Sequence, residues 1–204
     1  MKVITVTTDH VIEAYGSRVR GLADMLGATV SAGDPDRAVI ESWADTVSGR
    51  ILDVGAGTGR WSGHLAGLGR DIEGLEPVEQ FVDIARRAHP EVAFRLGPLA
   101  DLAGLEDRWA GILAWYSLIH LEPDGLPGAL AVLRGVLDEG GSILISFFSG
   151  PRLEAFDHPV ATAYLWPMES FGRVLEQAGF QVLDGYWDPR APYAYVTARA
   201  VARR

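Results

Sequence analysis

Residues 51–60 read Ile-Leu-Asp-Val-Gly-Ala-Gly-Thr-Gly-Arg, a short apolar strand pattern that runs directly into three closely spaced glycines. Glycine lets the backbone approach a ligand where a Cβ atom would collide. When such a turn leads into a helix, the first amides of that helix are free to donate hydrogen bonds to a ligand. The segment therefore predicts a strand, a nucleotide-binding turn and a helix.

The glycine spacing distinguishes between classes of nucleotide site. A dinucleotide-binding turn has the spacing Gly-x-Gly-x-x-Gly. Here Gly55, Gly57 and Gly59 occupy every second position, and Asp53 lies two residues before the first. This pattern resembles the first motif of the class I S-adenosylmethionine-dependent methyltransferases, (Asp/Glu)-x-Gly-x-Gly-x-Gly. The resemblance implies S-adenosyl-L-methionine as cofactor and S-adenosyl-L-homocysteine as product.

The alternation of elements predicts the fold. From residue 50 onwards, strand patterns at 50–54, 71–76, 92–96, 111–116, 142–148, 180–187 and 193–199 are separated by helical stripes at 60–67, 79–88, 126–137 and 171–178. Such alternation predicts an α/β protein with a mostly parallel sheet and helices on both faces. The last two strands have a short connection, so they should pair antiparallel.

Seven strands ending in a hairpin match the Rossmann-like arrangement of the methyltransferase family that the chain resembles. A chain of 204 residues with 48% hydrophobic content is long enough for one sizeable core and short for two. We therefore expect a single methyltransferase domain over residues 1–204. Residues 1–48 would form an N-terminal helical cap, and residues 49–204 the Rossmann-like core.

Composition excludes several classes of protein. The net charge of −9 and the scattered basic residues disfavour nucleic acid as a partner. The absence of cysteine removes disulfides, thiolate metal sites and cysteine nucleophiles, and we expect no metal. No run reaches the ~20 apolar residues of a membrane span, and the first ten residues lack the apolar block of a signal peptide. We expect a cytoplasmic monomer or homodimer without a membrane partner.

By resemblance, the glycine turn holds the methionine part of the cofactor and Asp53 orders the turn. Glu76, at the end of a strand pattern, is expected to accept hydrogen bonds from the ribose hydroxyls. The alternative strand register would present Glu73 instead. The full set of residues expected to contact the cofactor is Asp53, Gly55, Gly57, Gly59, Arg60, Trp61, Leu75, Glu76, Pro77, Gly97, Pro98, Leu99, Trp115, Tyr116 and Ser117.

The adenine end departs from the family pattern. The family often has Gly-Asp after the third strand, but this chain has Gly97-Pro98. Adenine would then depend on apolar contacts from Leu75 and Leu99 and on backbone amides. Asp101 either replaces the missing carboxylate or caps the next helix.

By resemblance, the end of the fourth strand pattern should pass beside the reacting methyl group. Its sequence, Ala114-Trp115-Tyr116-Ser117, differs from the (Asp/Asn/Ser)-Pro-Pro-aromatic motif of amino-methyltransferases that act on DNA bases. His120 follows it, and the ordinary pKa of imidazole suits a general base near neutral pH. The alternative is a histidine that only ties the following loop in place.

The methyl acceptor should bind beneath the N-terminal cap and the segment 147–166, which is rich in aromatic residues. This favours a small apolar or aromatic acceptor. Arg18, Arg20 and Arg152 leave an acidic acceptor open. The residues expected to bind the acceptor are Tyr15, Tyr116, His120, His158 and Trp166.

These features predict a methyltransferase that moves a methyl group to a small molecule by in-line displacement. The alternative is a module that binds S-adenosylmethionine without catalysis, suggested by Pro98 and Ala110 at positions where the family has acids. A short-chain NAD enzyme is disfavoured, because the glycine spacing differs and the only lysine is Lys2, so no Tyr-x-x-x-Lys pair exists.

Overall fold

The computed structural model describes residues 9–202. Three helices come first, and from Ile51 onwards strands and helices alternate. The helices are α1 (Asp9–Gly16), α2 (Val19–Leu26), α3 (Arg37–Asp45), α4 (Arg60–Gly67), α5 (Glu79–Ala88), α6 (Leu126–Val136) and α7 (Met168–Gln177). The strands are β1 (Ile51–Val54), β2 (Ile72–Glu76), β3 (Ala93–Leu96), β4 (Trp109–Ala114), β5 (Leu137–Ser149), β6 (Glu154–Phe156), β7 (Ala163–Trp166), β8 (Phe180–Trp187) and β9 (Tyr193–Ala200). A short 3-10 helix spans Leu99–Leu102.

The strands form one sheet with a parallel centre in the order β3-β2-β1-β4-β5. Strand β9 pairs antiparallel with β5, and β8 pairs antiparallel with β9. The predicted α/β fold with a C-terminal antiparallel hairpin is confirmed. The chain proceeds from β1 to β2 and β3 on one side and then returns to place β4 on the other side of β1. Open α/β sheets bind ligands at such a switch in strand order, beside the carboxyl ends of the strands.

The helices cover both faces of the sheet, because strand residues point to alternate sides. On one face, Leu52, Ile112 and Ile143 pack with α6 and α7. On the other face, Ile51 and Leu113 pack with α3 and α4. The N-terminal region therefore contributes to the core through α3, while α1 and α2 pack against α5.

The segment 149–166, expected as a loop, contains the hairpin β6–β7. Strand β7 pairs parallel with Phe148 and Ser149, the last two residues of β5, beyond the end of β4. Strands of three and four residues are too short to produce a recognisable alternation, so the sequence pattern did not reveal them. Over the described residues the sheet thus carries nine strands, the seven expected and two more.

The glycines at 140 and 141, which fall between the helical stripe at 126–137 and the strand pattern at 142–148, lie inside β5. Gly140 has φ 72°, and the register with β4 shifts there, from Trp109 opposite Leu137 to Gly111 opposite Ser142. The extra residues form a bulge, the usual place for glycine inside a strand. Within residues 9–202, no helix combines the length and the apolar character needed to cross a membrane.

Candidate active site

The glycine turn lies at the carboxyl end of β1, at the switch in strand order. Gly55 and Gly57 have φ of 73° and 56°, in the left-handed region that favours glycine. A Cβ atom on Gly55 would lie 2.5 Å from the Cβ of Ser117, whereas one on Gly57 would meet no atom within 4 Å. Gly55 therefore allows the segment after β4 to approach, and Gly57 presents bare backbone to open space.

Glu76 ends β2 beside this turn and is 5% exposed. Its carboxylate accepts hydrogen bonds from the backbone N–H of Gly57 at 2.8 Å and of Val78 at 2.9 Å. Burial raises the pKa of Glu76 to about 7, although the two N–H donors oppose the shift. The carboxylate thus joins the ends of β1 and β2, and its contact with the ribose stays a prediction.

The alternative candidate, Glu73, is engaged elsewhere. Its carboxylate accepts hydrogen bonds from Arg50 at 2.6 Å, from Arg95 at 3.0 Å and from the indole N–H of Trp109 at 2.7 Å. Both of its oxygens therefore accept hydrogen bonds in a network that links β2 with β3, with β4 and with Arg50, which precedes β1. The ambiguity in the sequence is resolved in favour of Glu76 as the acid that faces the glycine turn.

Asp53 lies beneath the turn and is 3% exposed. The hydroxyl of Ser62 on α4 donates to its Oδ2 at 2.6 Å. Burial raises the pKa of Asp53 to about 6, and the bond from Ser62 partly offsets that rise. This contact ties β1 to α4 across the glycine turn, which agrees with an ordering role for the acid.

A narrow cavity of about 90 Å³ lies between the turn and the segments that follow β3 and β4. We call it the base slot; it is lined by Val54, Gly55, Leu75, Pro77, Gly97, Pro98, Leu99, Ala100, Ser117, Leu118 and Leu121. Most residues expected at the adenine end of the cofactor are among them. Ser117 is the one polar side chain of this lining, and its buried Oγ has no hydrogen-bond partner among the described residues.

Asp101 was expected either to replace the missing carboxylate or to cap the next helix, and it does not cap a helix. It is the third residue of the 3-10 helix, whose N-cap is Pro98 and has no side-chain cap bond. Its exposed carboxylate lies against Gly97, where a Cβ atom would be 2.7 Å from Oδ2. Asp101 therefore sits behind the backbone of the base slot and does not line it.

The first residue of α4 connects the turn to the N-terminal cap. Arg60 forms an ion pair with Asp34, while its buried Nε has no partner among the described residues. The hydroxyl of Thr58 donates to the carbonyl of Gly27 at 2.6 Å. Trp61 is 6% exposed and packs in the core with α3, so its place among the cofactor contacts stays a prediction.

The chain leaves the sheet after Ala114. Trp115 and Tyr116, which were predicted to belong to this strand, therefore lie outside it. Tyr116 has φ 53°, a strained value for a residue with a side chain. Its N–H donates to the hydroxyl of Ser146 at 2.7 Å, and the indole N–H of Trp115 donates to Asp36 at 2.9 Å. These bonds hold a sharp turn that sends Ser117 towards the base slot.

Aromatic side chains line the other side of this turn. Ring centroids lie 5.3 Å apart for Tyr116 and Phe148, 5.2 Å for Phe148 and Phe156, and 6.5 Å for Tyr116 and Tyr193. His158 lies 5.8 Å from Phe148. We call these five residues the aromatic wall.

Two side chains near the wall need separate mention. Trp166, an expected acceptor contact, is 7% exposed and packs on Phe171 of α7, with ring centroids 5.8 Å apart. It is part of the core cluster, and its contact with the acceptor stays a prediction. Tyr193 was not among the residues predicted to bind the acceptor. Its place in the wall follows from the β5–β9 register, which sets it opposite Phe148.

His120 lies at the end of the wall, 8% exposed, with its ring 5.1 Å from that of His158. Its Nδ1 is 2.8 Å from the carbonyl of Thr162, and its Nε2 is 3.0 Å from the hydroxyl of Tyr15. A carbonyl can only accept, so Nδ1 carries the proton and Nε2 accepts from Tyr15. Burial lowers the pKa of His120, which favours this neutral form.

Tyr15 brings α1 into the site. Burial raises the pKa of its phenol to about 12, and the charge of Glu76 adds to the shift. Its ring also packs edge-on against Phe81 of α5 at 6.4 Å. Tyr15 thus lies between the acid that faces the glycine turn and the imidazole that faces the aromatic wall.

A larger cavity of about 550 Å³ lies elsewhere, between the α1–α2 turn and α5. It shares no lining residue with the base slot or the aromatic wall. No group of three or more acidic or histidine side chains in residues 9–202 is arranged to hold a metal ion.

Comparison with known proteins agrees with the geometry. The sequence model of the methyltransferase domain family matches residues 51–141. An O-methyltransferase of Penicillium expansum is 29% identical over 87% of this chain and 74% of its own length. A demethylmenaquinone methyltransferase of Renibacterium salmoninarum is 28% identical over 63% of this chain, which spans only 53% of that protein.

Among solved structures, the 1,6-didemethyltoxoflavin N1-methyltransferase of Burkholderia thailandensis superposes with a TM-score of 0.77 at 24% identity. The match covers 95% of this chain and 88% of that one, which holds S-adenosylhomocysteine. This likeness establishes the shared fold. Residues 51–141 thus match the methyltransferase domain family, and the whole chain shares the fold of S-adenosylmethionine-dependent methyltransferases.

Proposed function

We propose that the chain transfers a methyl group from S-adenosylmethionine to a small aromatic acceptor, with His120 taking up the proton that the acceptor loses. The observation that carries this proposal is the junction at Tyr116 and Ser117. These neighbouring residues belong to the aromatic wall and to the base slot, respectively. A cofactor that extends from the base slot over the glycine turn and an acceptor against the wall would therefore lie on either side of this turn.

The residues at the switch in strand order fit the cofactor. The glycine turn offers bare backbone, Glu76 offers carboxylate oxygens for ribose, and the base slot is apolar. Two buried polar atoms without partners, Ser117 Oγ and Arg60 Nε, border this region. When bound, S-adenosylmethionine supplies a methyl group already activated by its sulfonium charge.

The protein then has to align the acceptor behind the methyl group and exclude water, since proximity and orientation supply much of the rate. The aromatic wall suits a flat ring, which would pack against Tyr116 and Phe148. The N-terminal helices would cover the site from the side of Tyr15. A structural neighbour that binds 1,6-didemethyltoxoflavin and a relative named as an O-methyltransferase support a small acceptor.

His120 is placed to act as the base. In its neutral tautomer, Nε2 keeps a lone pair. The hydroxyl of Tyr15 donates a hydrogen bond to that lone pair. An acceptor hydroxyl could take that position and give up its proton as the methyl group arrives, whereas an ammonium group would give up its proton first and so free the lone pair that attacks. A carboxylate acceptor would need no base, so dependence on His120 distinguishes between the two kinds of acceptor.

The experiment pairs donor binding with methyl transfer. Calorimetry should detect one S-adenosylhomocysteine per chain and no binding of NAD. Isotope-labelled S-adenosylmethionine, incubated with a panel of phenols, aromatic amines and aromatic carboxylates, should label a member of the panel. Failure to bind S-adenosylhomocysteine, or a panel and a metabolite extract that both stay unlabelled, contradicts the proposal.

A substitution tests the base. For a phenol or amine acceptor, His120→Asn should lower kcat by about 10²- to 10⁴-fold and leave the affinity for S-adenosylhomocysteine unchanged. His64→Asn is the matched control, because His64 contacts Glu41 on α3, outside the wall and the slot. Equal rates in both variants contradict a base role for His120.

We also propose that the protein acts in the cytoplasm as a monomer or homodimer, without nucleic acid. The acidic composition and the absence of cysteine support this proposal. Light scattering coupled to gel filtration measures the mass in solution, and a mass above that of two chains contradicts it.

A further inference from the structure

The base slot contains one polar side chain in an apolar lining. Ten of its eleven residues are aliphatic, proline or glycine, and the eleventh is Ser117. The Ser117 Oγ is buried and has no hydrogen-bond partner among residues 9–202. Buried hydroxyls almost always have a partner, so an isolated one beside a cavity points to a ligand atom.

The position of Ser117 is fixed by close packing. Its Cβ touches Gly55, where a Cβ atom would lie only 2.5 Å away. The strained turn at Tyr116, held by the bond to Ser146, brings Ser117 to that point. The hydroxyl is therefore held rigidly where the glycine turn meets the slot.

Among residues 9–202, no carboxylate lines the slot. The residue after Gly97 is Pro98, which offers neither a side-chain acceptor nor an N–H. The nearest acid along the chain, Asp101, is exposed and lies behind Gly97. A base bound in this slot would thus meet a hydroxyl as its side-chain hydrogen-bond partner.

We infer that the Ser117 hydroxyl hydrogen-bonds the purine of the cofactor and is the side chain through which this protein recognises that base. The inference rests on the proposed function, since it assumes the donor site. A hydroxyl can donate or accept, whereas a carboxylate only accepts. The slot should therefore bind a 6-oxopurine nearly as well as the 6-aminopurine of adenosine.

Ser117→Ala tests the contact by calorimetry with S-adenosylhomocysteine. The Kd should rise about tenfold, the loss expected for one neutral hydrogen bond. The thermal midpoint of the ligand-free variant should not fall, because Ser117 Oγ has no partner in the part of the chain that the structure describes. A purely structural serine would show the opposite result, a lower midpoint and an unchanged Kd.

Ser142→Ala is the matched control. Its hydroxyl accepts a hydrogen bond from the indole of Trp43 at 2.9 Å, far from the slot at the other end of β5. This variant should lose stability and keep the wild-type Kd. The contrast separates loss of a ligand contact from general weakening of the sheet.

The second arm compares S-adenosylhomocysteine with S-inosylhomocysteine, its 6-oxo analogue, on the wild-type protein. The two Kd values should differ by less than about tenfold, because the hydroxyl reverses its role. A difference above a hundredfold, or equal Kd values for wild type and Ser117→Ala, overturns the inference and leaves the proposed function intact. If the wild-type protein binds neither ligand, the proposed function itself fails.

Discussion

At the scale of single residues, two buried carboxyl groups lie at the ends of neighbouring strands. Burial raises the pKa of Asp53 to about 6 and that of Glu76 to about 7, and the charge of Asp53 adds to the shift of Glu76. Glu76 thus titrates near neutral pH in the ligand-free protein. Its protonation state is linked to folding, because an unfolded chain exposes the same group to water.

This linkage predicts how stability depends on pH. The folded pKa of Glu76, about 7, exceeds the ordinary value of 4.5, so the folded state holds the proton more tightly than the unfolded chain does. The resulting stability is complete below about pH 4.5 and is lost as the pH rises to about 7. The unfolding free energy of the wild type should therefore fall between pH 5 and pH 8. In Glu76→Gln this fall should be smaller by roughly 2–3 kcal/mol.

Urea unfolding at both pH values measures the effect. Glu139→Gln, at an exposed position in β5, is the control and should show the wild-type fall. The same fall in Glu76→Gln as in the wild type contradicts a raised pKa at this carboxyl group.

At the scale of elements, the glycine turn combines two different requirements for glycine. At Gly57 only the left-handed backbone opposes a side chain, whereas at Gly55 a Cβ atom would also collide with Ser117. An alanine at either position would disturb the turn, but only an alanine in place of Gly57 would leave its packing intact. The two positions therefore allow stability and ligand binding to be separated.

Gly57→Ala should lower the unfolding free energy by about 1–2 kcal/mol, the cost of a left-handed residue with a side chain. It should weaken S-adenosylhomocysteine binding by more than tenfold, because the new methyl group enters the space over the turn. Gly55→Ala should be the less stable variant by thermal or urea unfolding. A reversed order of stability contradicts the packing described for the turn.

Helix α1 is attached to the site by one side-chain hydrogen bond, from Tyr15 to His120, and by apolar contacts with α5. Tyr15→Phe keeps the ring against Phe81 and removes the bond. We expect a loss of about 0.5–1.5 kcal/mol in unfolding free energy and faster hydrogen exchange in α1. Tyr164→Phe, on β7, is the control for exchange, and unchanged exchange in Tyr15→Phe contradicts attachment through the hydroxyl.

The sequence predicted those elements that have strong periodicity and a chemical motif. The helix at 79–88 and the turn at 55–59 follow from an apolar stripe and a glycine spacing, and both agree with the structure. The hairpin β6–β7 was missed, because its strands are shorter than the period that would reveal them. Tyr193 was missed because its role depends on strand register, a long-range property that local spacing does not encode.

At the scale of the whole molecule, the donor site joins the ends of the central strands to the N-terminal helices, so occupation of the site should stabilise the entire domain. At a ligand concentration of 100 times Kd, binding adds about 2.7 kcal/mol to the unfolding free energy. For a domain of this size, that corresponds to a rise of roughly 5–10 °C in the thermal midpoint.

Calorimetric scans with and without S-adenosylhomocysteine measure this rise. Gly57→Ala at the same ligand concentration should show a much smaller one, which excludes non-specific stabilisation. An equal rise in both proteins contradicts binding at the glycine turn.

Strand β5 pairs with three other strands: with β4 along its first part, with β9 on its other edge and with β7 at its end. The family match spans residues 51–141, which contain the glycine turn and the base slot, whereas four of the five residues of the aromatic wall lie at 148–193. The base slot and most of the aromatic wall, which we propose for the donor and the acceptor, are thus encoded in successive parts of the gene. Recombination just before Phe148, near the end of β5, could give the enzyme a new acceptor while its cofactor chemistry is inherited unchanged. Residues 148–193 are therefore the segment to exchange between homologues when new specificities are sought.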